Sequence, residues 1–271
     1  VTENFRLGVI GVGKMGGVIV KNVAGSALPA NHIWITDIDS ALVAQLRDEN
    51  GVNASANIAS LVQNTDAVLC AVPPGAVPHV MPKVAEVLSP QHWLMSIAAG
   101  VSTETLESYF KEPPPPIVRV MPNIAAAAGA AISVLTKGSC AQDAHIEIAT
   151  QIFNACGTTL VMEEHHLNAV TGLSGSGPAY VALFVEALAD AGVYVGLPRQ
   201  AAQKLATHTV LGTATMLAET EEHPAVLKNR VTTPGGTTAA GLHALELGGV
   251  RAVLTEAILA ATERAKELGN A

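Results

Sequence analysis

The sequence predicts an α/β protein, a mostly parallel sheet wound with crossover helices, followed by an all-helical second part. Three observations carry this. Short apolar runs alternate with helix-like segments over residues 5–160, a glycine-rich turn directly follows the first run, and strand signals stop after about Glu163. At 271 residues and 49% hydrophobic, the chain can bury a substantial core and is expected to divide into two domains, 1–163 and 164–271.

Candidate strands are residues 6–10, 32–36, 67–71, 92–97, 117–121 and 131–135. Residues 18–25 and 42–49 have helical spacing, with Gly25-Ser26 and Gly51 as stops. Pro113 to Pro116 form a stiff connector that excludes helix. In the second part, a helix over 179–191 ends at Gly192, Pro198 opens another over 199–218, and 239–247 and 250–268 complete the set. Ala, Leu and Val dominate even on faces that should meet solvent, which predicts burial against a second subunit; a self-contained helical bundle is the alternative.

Composition excludes several classes of function. A net charge of −8, with 15 dispersed Lys and Arg, argues against a nucleic-acid surface. Residues 165–185 carry no Asp, Glu, Lys or Arg, yet two histidines, Asn168, a run of glycines and serines and Pro178 interrupt them. They read as a helix buried against another helix rather than a membrane span. Nine histidines offer no H-E-x-x-H spacing, so no metal site is expected. Cys70, Cys140 and Cys156 lie in apolar surroundings without a C-x-x-C pair, which fits reduced, non-nucleophilic thiols. The polar start of the chain is no signal peptide, and a cytoplasmic protein is expected.

Gly11-Val12-Gly13-Lys14-Met15-Gly16 follows the strand ending at Ile10 and leads into the first helix, the context of a Rossmann-type dinucleotide-binding turn. Gly11 makes the tight turn, Gly13 lets the backbone approach a pyrophosphate, and Gly16 lets helix and strand pack closely. A glycine turn without ligand is the plain alternative. Asp37, 21 residues beyond Gly16, can accept hydrogen bonds from adenosine ribose hydroxyls and would repel a 2′-phosphate, and no arginine stands beside it. The reading therefore leans to NADH over NADPH. Ala71-Val72-Pro73-Pro74-Gly75 and Ser96-Ile97-Ala98-Ala99-Gly100 end the next two strands, where ligands of open parallel sheets bind; the small side chains of the second would let its backbone pass close to a nicotinamide or its ribose, although both also read as simple turns.

Val231-Thr232-Thr233-Pro234-Gly235-Gly236-Thr237-Thr238 packs four hydroxyls and two glycines into an uncharged stretch. Thr237 or Thr238 can cap the following helix, whose free N–H groups suit a small carboxylate or phosphate. Taken alone, these residues fit an ordinary helix-entry turn better than a site.

Together these segments resemble the pyrroline-5-carboxylate reductases over nearly the whole chain. The resemblance runs from the glycine turn through Val118-Arg119-Val120-Met121-Pro122-Asn123 and the stretch from Ala169 to Tyr180 that holds Ser174-Gly175-Ser176-Gly177. It continues through Gly196-Leu197-Pro198 to the Pro-Gly-Gly-Thr-Thr loop. It implies reduction of the C=N bond of 1-pyrroline-5-carboxylate to L-proline by NAD(P)H. Gly236, Thr237 and Thr238 would offer backbone N–H groups to the substrate carboxylate, and the Thr238 hydroxyl, as the catalytic group, would bond the ring nitrogen. Ser176 falls in the family's interface helix and is counted with the substrate residues.

The resemblance also implies a homodimer, with pentamers of dimers as a further assembly, in which one subunit's loop faces the other's nicotinamide. The coenzyme set is Ile10, Gly11, Val12, Gly13, Lys14, Met15, Gly16, Asp37, Asn57, Ala71, Val72, Pro73, Pro74, Ala98 and Ala99. Asn57 and Glu164 match positions near the coenzyme in relatives, but read alone they are a loop residue and a surface glutamate at a domain junction; Glu164 is not counted as catalytic. The chain departs from the family at Pro73-Pro74, where Lys-Pro is usual, at Ile124-Ala125, where Thr-Pro is usual, and at Asp37, where small hydroxyl residues or a nearby arginine are frequent. A 3-hydroxyacid dehydrogenase is a competing reading, weakened because the matching helix around 172–178 has no lysine. A non-catalytic dinucleotide sensor is another, and it would not need the hydroxyl loop.

Overall fold

The computed structural model describes residues 4–269. These residues form two compact units, one running up to Ser176 and joined by those from Ala260 on, the other being Gly177–Leu259.

The first unit is built on an eight-stranded sheet. Its strands are β1 (Leu7–Ile10), β2 (Ile33–Thr36), β3 (Asn53–Ala54), β4 (Ala67–Cys70), β5 (Trp93–Ser96), β6 (Ile117–Met121), β7 (Ala131–Lys137) and β8 (Gly157–Val161). Their order across the sheet is β3-β2-β1-β4-β5-β6-β7-β8, parallel at every pairing except β6 with β7. Every residue of β1, β4, β5 and β6 is buried, and strands covered on both faces are predominantly apolar. That is why these segments read as apolar runs, with Ser96 and Arg119 as the polar exceptions.

Helices α1 (Lys14–Val23), α2 (Ser40–Asn50), α3 (Ile58–Gln63), α4 (Val77–Val87), α5 (Thr103–Glu107) and α6 (Asp143–Asn154) cover the sheet. One core gathers Ile19, Val23, Leu46, Ile152 and Phe153 with alternate strand residues such as Leu7, Ile35 and Met95. A second gathers Leu61, Met81, Val84 and Leu106 with Val68, Leu94 and Ile117. A third, smaller cluster joins Met121 and Val134 to Leu167 and Val170 of α7 (Leu167–Val170). A π-helical segment, Thr171–Gly175, continues α7.

The second unit holds α8 (Gly177–Tyr194), α9 (Arg199–Thr220), α10 (Pro224–Arg230), α11 (Thr237–Leu247) and the first part of α12 (Val250–Gly269). Its buried apolar residues are few, namely Ala189, Ala202, Ala206 and Leu227 among the described residues.

Several sequence expectations need correction. The first helix spans Lys14–Val23 rather than 18–25, because it starts directly at the glycine turn. β3 and β8 carried no expected strand: β3 is two residues long, and β8 is an edge strand with an exposed, mixed face. Gly192 does not end α8; a Cβ there would lie 3.1 Å from that of Ala202, so this glycine admits the close approach of α9. The stop falls at Gly196, in the left-handed region at φ +100°. Neither Thr237 nor Thr238 caps α11: Gly236 is the N-cap, and no side chain caps it. The uncharged stretch 165–185 is not one buried helix but a 3₁₀ turn, α7, the π-helical segment and half of α8, whose Val181, Leu183 and Phe184 are exposed. Cys140 is half-exposed rather than in apolar surroundings, while Cys70 and Cys156 are buried.

Candidate active site

The chain order of the strands reverses between β1 and β4, and the crevice beyond their carboxyl ends is where an open α/β sheet binds ligands. The glycine turn sits at this point. Gly11, at φ +90°, donates its N–H to Thr36 O at 2.9 Å, and a Cβ on Gly16 would lie 2.0 Å from Gly11 O. These two glycines are therefore demanded by the backbone itself. Gly13 is different. It is exposed, and a Cβ there would meet nothing within 4 Å, so the fold does not require a glycine at this position. The open space there leaves room for a phosphate against the N-terminus of α1, the fit expected for a dinucleotide. Lys14 and Met15 open α1 beside it.

Asp37 follows β2 and ties this turn down. Its Oδ2 accepts the Val12 N–H at 2.6 Å, and its Oδ1 accepts the Asp39 N–H at 3.0 Å. A carboxylate has about four lone-pair positions, so two remain for ribose hydroxyls. Ile38, next in the chain, is fully exposed, an apolar side chain with no role in the core and a residue that the sequence reading passed over. Its signal was the isoleucine between two aspartates, where a turn normally holds polar residues.

The other coenzyme candidates gather at the same edge of the sheet. Ala71 donates to Ile10 O at 2.8 Å, placing Ala71 and Val72 beside the glycine turn, and Pro73-Pro74 begin the 3₁₀ turn before α4. Ala98 is buried, its N–H donating to Ser96 Oγ at 3.3 Å, and Ala99 is half-buried. Asn57 is the N-cap of α3, where its side chain accepts the Ser60 N–H at 2.9 Å. Burial pushes the Cys70 thiol up to about 11, so it is no nucleophile in this crevice.

Next to the carboxyl end of β5 lies a polar cluster that sequence reasoning did not assemble. Arg119, on β6, is buried, and its Nη1 donates to Glu164 Oε1 at 2.9 Å. The same oxygen accepts the Thr103 N–H at 2.8 Å, and the Thr103 hydroxyl donates to Glu164 Oε2. Asn123, just beyond β6, donates to Ser174 O at 3.1 Å. The lone charge of Arg119 in the apolar strand Ile117–Met121 was the available signal.

In the second unit, residues 233–236 form a turn closed by Gly236 N–H to Thr233 O at 3.0 Å, with Pro234 second and Gly235 third at φ +70°. This is the residue pattern of a type II turn. A Cβ on Gly236 would lie 2.4 Å from Thr233 Oγ1, so a side chain there would make the Thr233 hydroxyl turn away. The Thr232 hydroxyl turns back to Lys228 O at 2.7 Å. The first helical bond of α11 is Ala240 N–H to Gly236 O, which leaves the N–H groups of Thr237, Thr238 and Ala239 ahead of the helical ladder. Thr207 and Thr213 on α9 bond back to carbonyls four residues earlier. Thr238 lies in the first turn with no such helical carbonyl, and it is half-buried. Ser176 is the last residue of the first unit before α8, its N–H donating to Thr171 O at 2.9 Å. The structure thus gathers the coenzyme candidates at one sheet edge, while Gly236, Thr237 and Thr238 form a second, separate constellation.

A glycine turn at the switch point of a parallel sheet, with an acidic residue just after the second strand and helices following, defines a dinucleotide-dependent oxidoreductase. The family description "Pyrroline-5-carboxylate reductase dimerisation" matches residues 164–268, and "NADP oxidoreductase coenzyme F420-dependent" matches residues 6–100. The chain is 42% identical to a pyrroline-5-carboxylate reductase of Arabidopsis thaliana, across 99% of this chain and 97% of that one, and it belongs to the pyrroline-5-carboxylate reductase family. A relative of the same name from Methanosarcina acetivorans is 40% identical over 99% of both chains. Among solved structures, a pyrroline-5-carboxylate reductase from Coxiella burnetii superposes with a TM-score of 0.93 at 32% identity, covering 98% of each chain. The Plasmodium falciparum pyrroline carboxylate reductase with NADP bound gives 0.85 at 29% identity, over 98% of this chain and 99% of that one.

Proposed function

We propose that this protein reduces the C=N bond of 1-pyrroline-5-carboxylate to give L-proline, as an NAD(P)H-dependent homodimer that prefers NADH. The observation that carries the substrate half is the turn before α11, where three N–H groups lie ahead of the helical ladder and the half-buried Thr238 hydroxyl stands in the same first turn. The N–H groups of Thr237 and Thr238, beside Gly236, hold the substrate carboxylate. The Thr238 hydroxyl orients the ring nitrogen. The coenzyme, when bound, supplies the hydride.

A protonated cyclic imine is already electrophilic, so alignment does most of the work and a strong acid is unnecessary. Ile10 to Gly16, Asn57, Ala71 to Pro74, Ala98 and Ala99 hold the coenzyme. Asp37 selects NADH, because a 2′-phosphate beside its carboxylate would be repelled, while Ile38 offers an apolar surface in place of an arginine. In this reading residues 1–163 form the coenzyme domain, and 164–271, with Ser176 near its start, the dimerisation and substrate domain. The loop of one subunit serves the coenzyme of another, dimers assemble into decamers, and three free thiols fit the reducing cytoplasm.

The test is oxidation of NADH and NADPH, followed separately, by purified protein with 1-pyrroline-5-carboxylate. Activity with both and a higher kcat/KM for NADH is expected; inactivity with both would remove the reading. Thr238→Ala should lower kcat by about 10²-fold with an unchanged Tm, and wild-type turnover in that variant would take Thr238 out of the mechanism.

A further inference from the structure

Residues 97–102, which join β5 to α5 and carry Ala98 and Ala99, are fixed at three points. At the start, Ser96 Oγ accepts the Ala98 N–H at 3.3 Å. In the middle, Gly100 sits at φ +78° against the last turn of α12, where a Cβ on it would lie 3.3 Å from Gly269 N. At the end stands Thr103, bonded through both its N–H and its hydroxyl to the carboxylate of Glu164.

The third point is the one that carries charge. Glu164 lies 61 residues beyond Thr103 and is held by Arg119, whose side chain is 6% exposed. Arg119 Nη2 is buried and finds no acceptor among the described residues, so Glu164 is the one carboxylate within reach of this guanidinium. A buried guanidinium with a single anionic partner strongly favours the geometry that keeps them together. Thr103, by bonding both oxygens of that carboxylate, inherits the constraint. The register of β5 with β6 sets Arg119 directly opposite Ser96, so the first and third anchors start from neighbouring positions on the sheet.

We propose that Glu164, oriented by Arg119, is a positioning residue that fixes the 97–102 loop through Thr103 and so sets the placement of the nicotinamide end of the coenzyme, without touching substrate or coenzyme. The inference rests on the coenzyme reading of Ala98 and Ala99 given above. It separates the two ends of the cofactor. The glycine turn and Asp37 hold the adenosine half and share no hydrogen bond with Glu164, whereas the loop meets the nicotinamide half.

The experiment compares Glu164→Gln, Thr103→Val and Thr103→Ser with wild type in three measurements: KM and kcat for NADH, Kd for ADP-ribose, which lacks nicotinamide, and Tm. Glu164→Gln and Thr103→Val should raise the NADH KM about tenfold or lower kcat to match, with the ADP-ribose Kd within twofold of wild type. Thr103→Ser, which keeps the hydroxyl, should restore wild-type values. Because Glu164→Gln could lower Tm for structural reasons alone, the double variant Arg119→Met/Glu164→Leu fills the same space without charge. Recovery of Tm with persistent loss of NADH turnover supports positioning; recovery of turnover with Tm overturns it. Equal changes in the NADH and ADP-ribose constants also overturn it. Wild-type protein that binds neither nucleotide would instead count against the coenzyme reading itself.

Discussion

The two units solve the burial problem in opposite ways. The sheet unit encloses its apolar residues: Leu7, Ile19, Ile33, Leu69, Met95, Leu106, Ile117 and Phe153 are fully or almost fully buried within one chain. The helical unit leaves its own outside. Val181, Phe184, Leu188, Leu211, Leu254 and Leu259 are each at least 40% exposed, and no residue of α11 is buried. Large exposed apolar surfaces on ordered helices mark an interface, and each such side chain contributes about 1.5–3 kcal/mol when fully buried. The first unit is a finished domain with a binding crevice; the second is half of a structure that a second copy completes, consistent with the dimerisation family that matches residues 164–268.

The largest expected effect follows from breaking that second half. Phe184 and Leu188 stand one turn apart on α8, and Phe184→Asp/Leu188→Asp would bury two carboxylates without partners in the subunit interface. Sedimentation should show a monomer, with turnover reduced about 10²-fold or more, while the sheet unit still binds ADP-ribose. A variant that stays dimeric and active would show that this face is not the interface.

The next contrast lies inside the glycine turn. Gly16→Val drives a side chain into Gly11 O and should damage fold and binding together. Gly13→Val meets open space. It should leave Tm unchanged and weaken NADH binding at least tenfold, measured by fluorescence titration. Unweakened binding in Gly13→Val would mean that no phosphate approaches this position.

These two units were unequally legible in the sequence. The sheet was readable because its central strands are buried on both faces, so β1, β2, β4, β5, β6 and β7 announce themselves as apolar runs and differ from expectation only at their ends. β8 was not, because none of its residues is buried and its entry depends on Gly157, where a Cβ would lie 2.2 Å from Ala131 O, a contact between distant parts of the chain. The glycine turn was readable because its glycine spacing lies within six residues, although its ties to Thr36, Asp37 and Ala71 come from beyond them. The Arg119–Glu164–Thr103 cluster was not: 45 and 61 residues separate its members, and only the sheet register brings them together. In the helical unit the same difficulty appears at Gly192, which looks like a stop by propensity but serves the approach of α9.

Asp37 gives a smaller and more selective effect. Asp37→Asn keeps an oxygen to accept the Val12 N–H but removes the charge, so the turn should survive while the barrier to a 2′-phosphate falls. The NADPH-to-NADH ratio of kcat/KM should rise about tenfold. A ratio unchanged by Asp37→Asn would assign the carboxylate to holding the turn alone.

The smallest effect tests how closed the sheet unit is. Burial pushes the thiols of Cys70 and Cys156 up to about 11 from an ordinary value of 9.0, because a thiolate in that interior would lose its hydration. Cys140 is half-exposed, so iodoacetamide at pH 8 should modify it first, with Cys70 and Cys156 reacting only in denaturant, as read by mass spectrometry. The linkage has a definite sign. The folded state holds these protons to higher pH than the unfolded chain, so their contribution to stability is intact below pH 9 and is lost as pH rises from 9 towards 11. A midpoint of chemical denaturation that stays level from pH 9 to 11, in a protein whose Cys70 and Cys156 resist alkylation, would break the link between burial and titration on which the contrast of the two units depends.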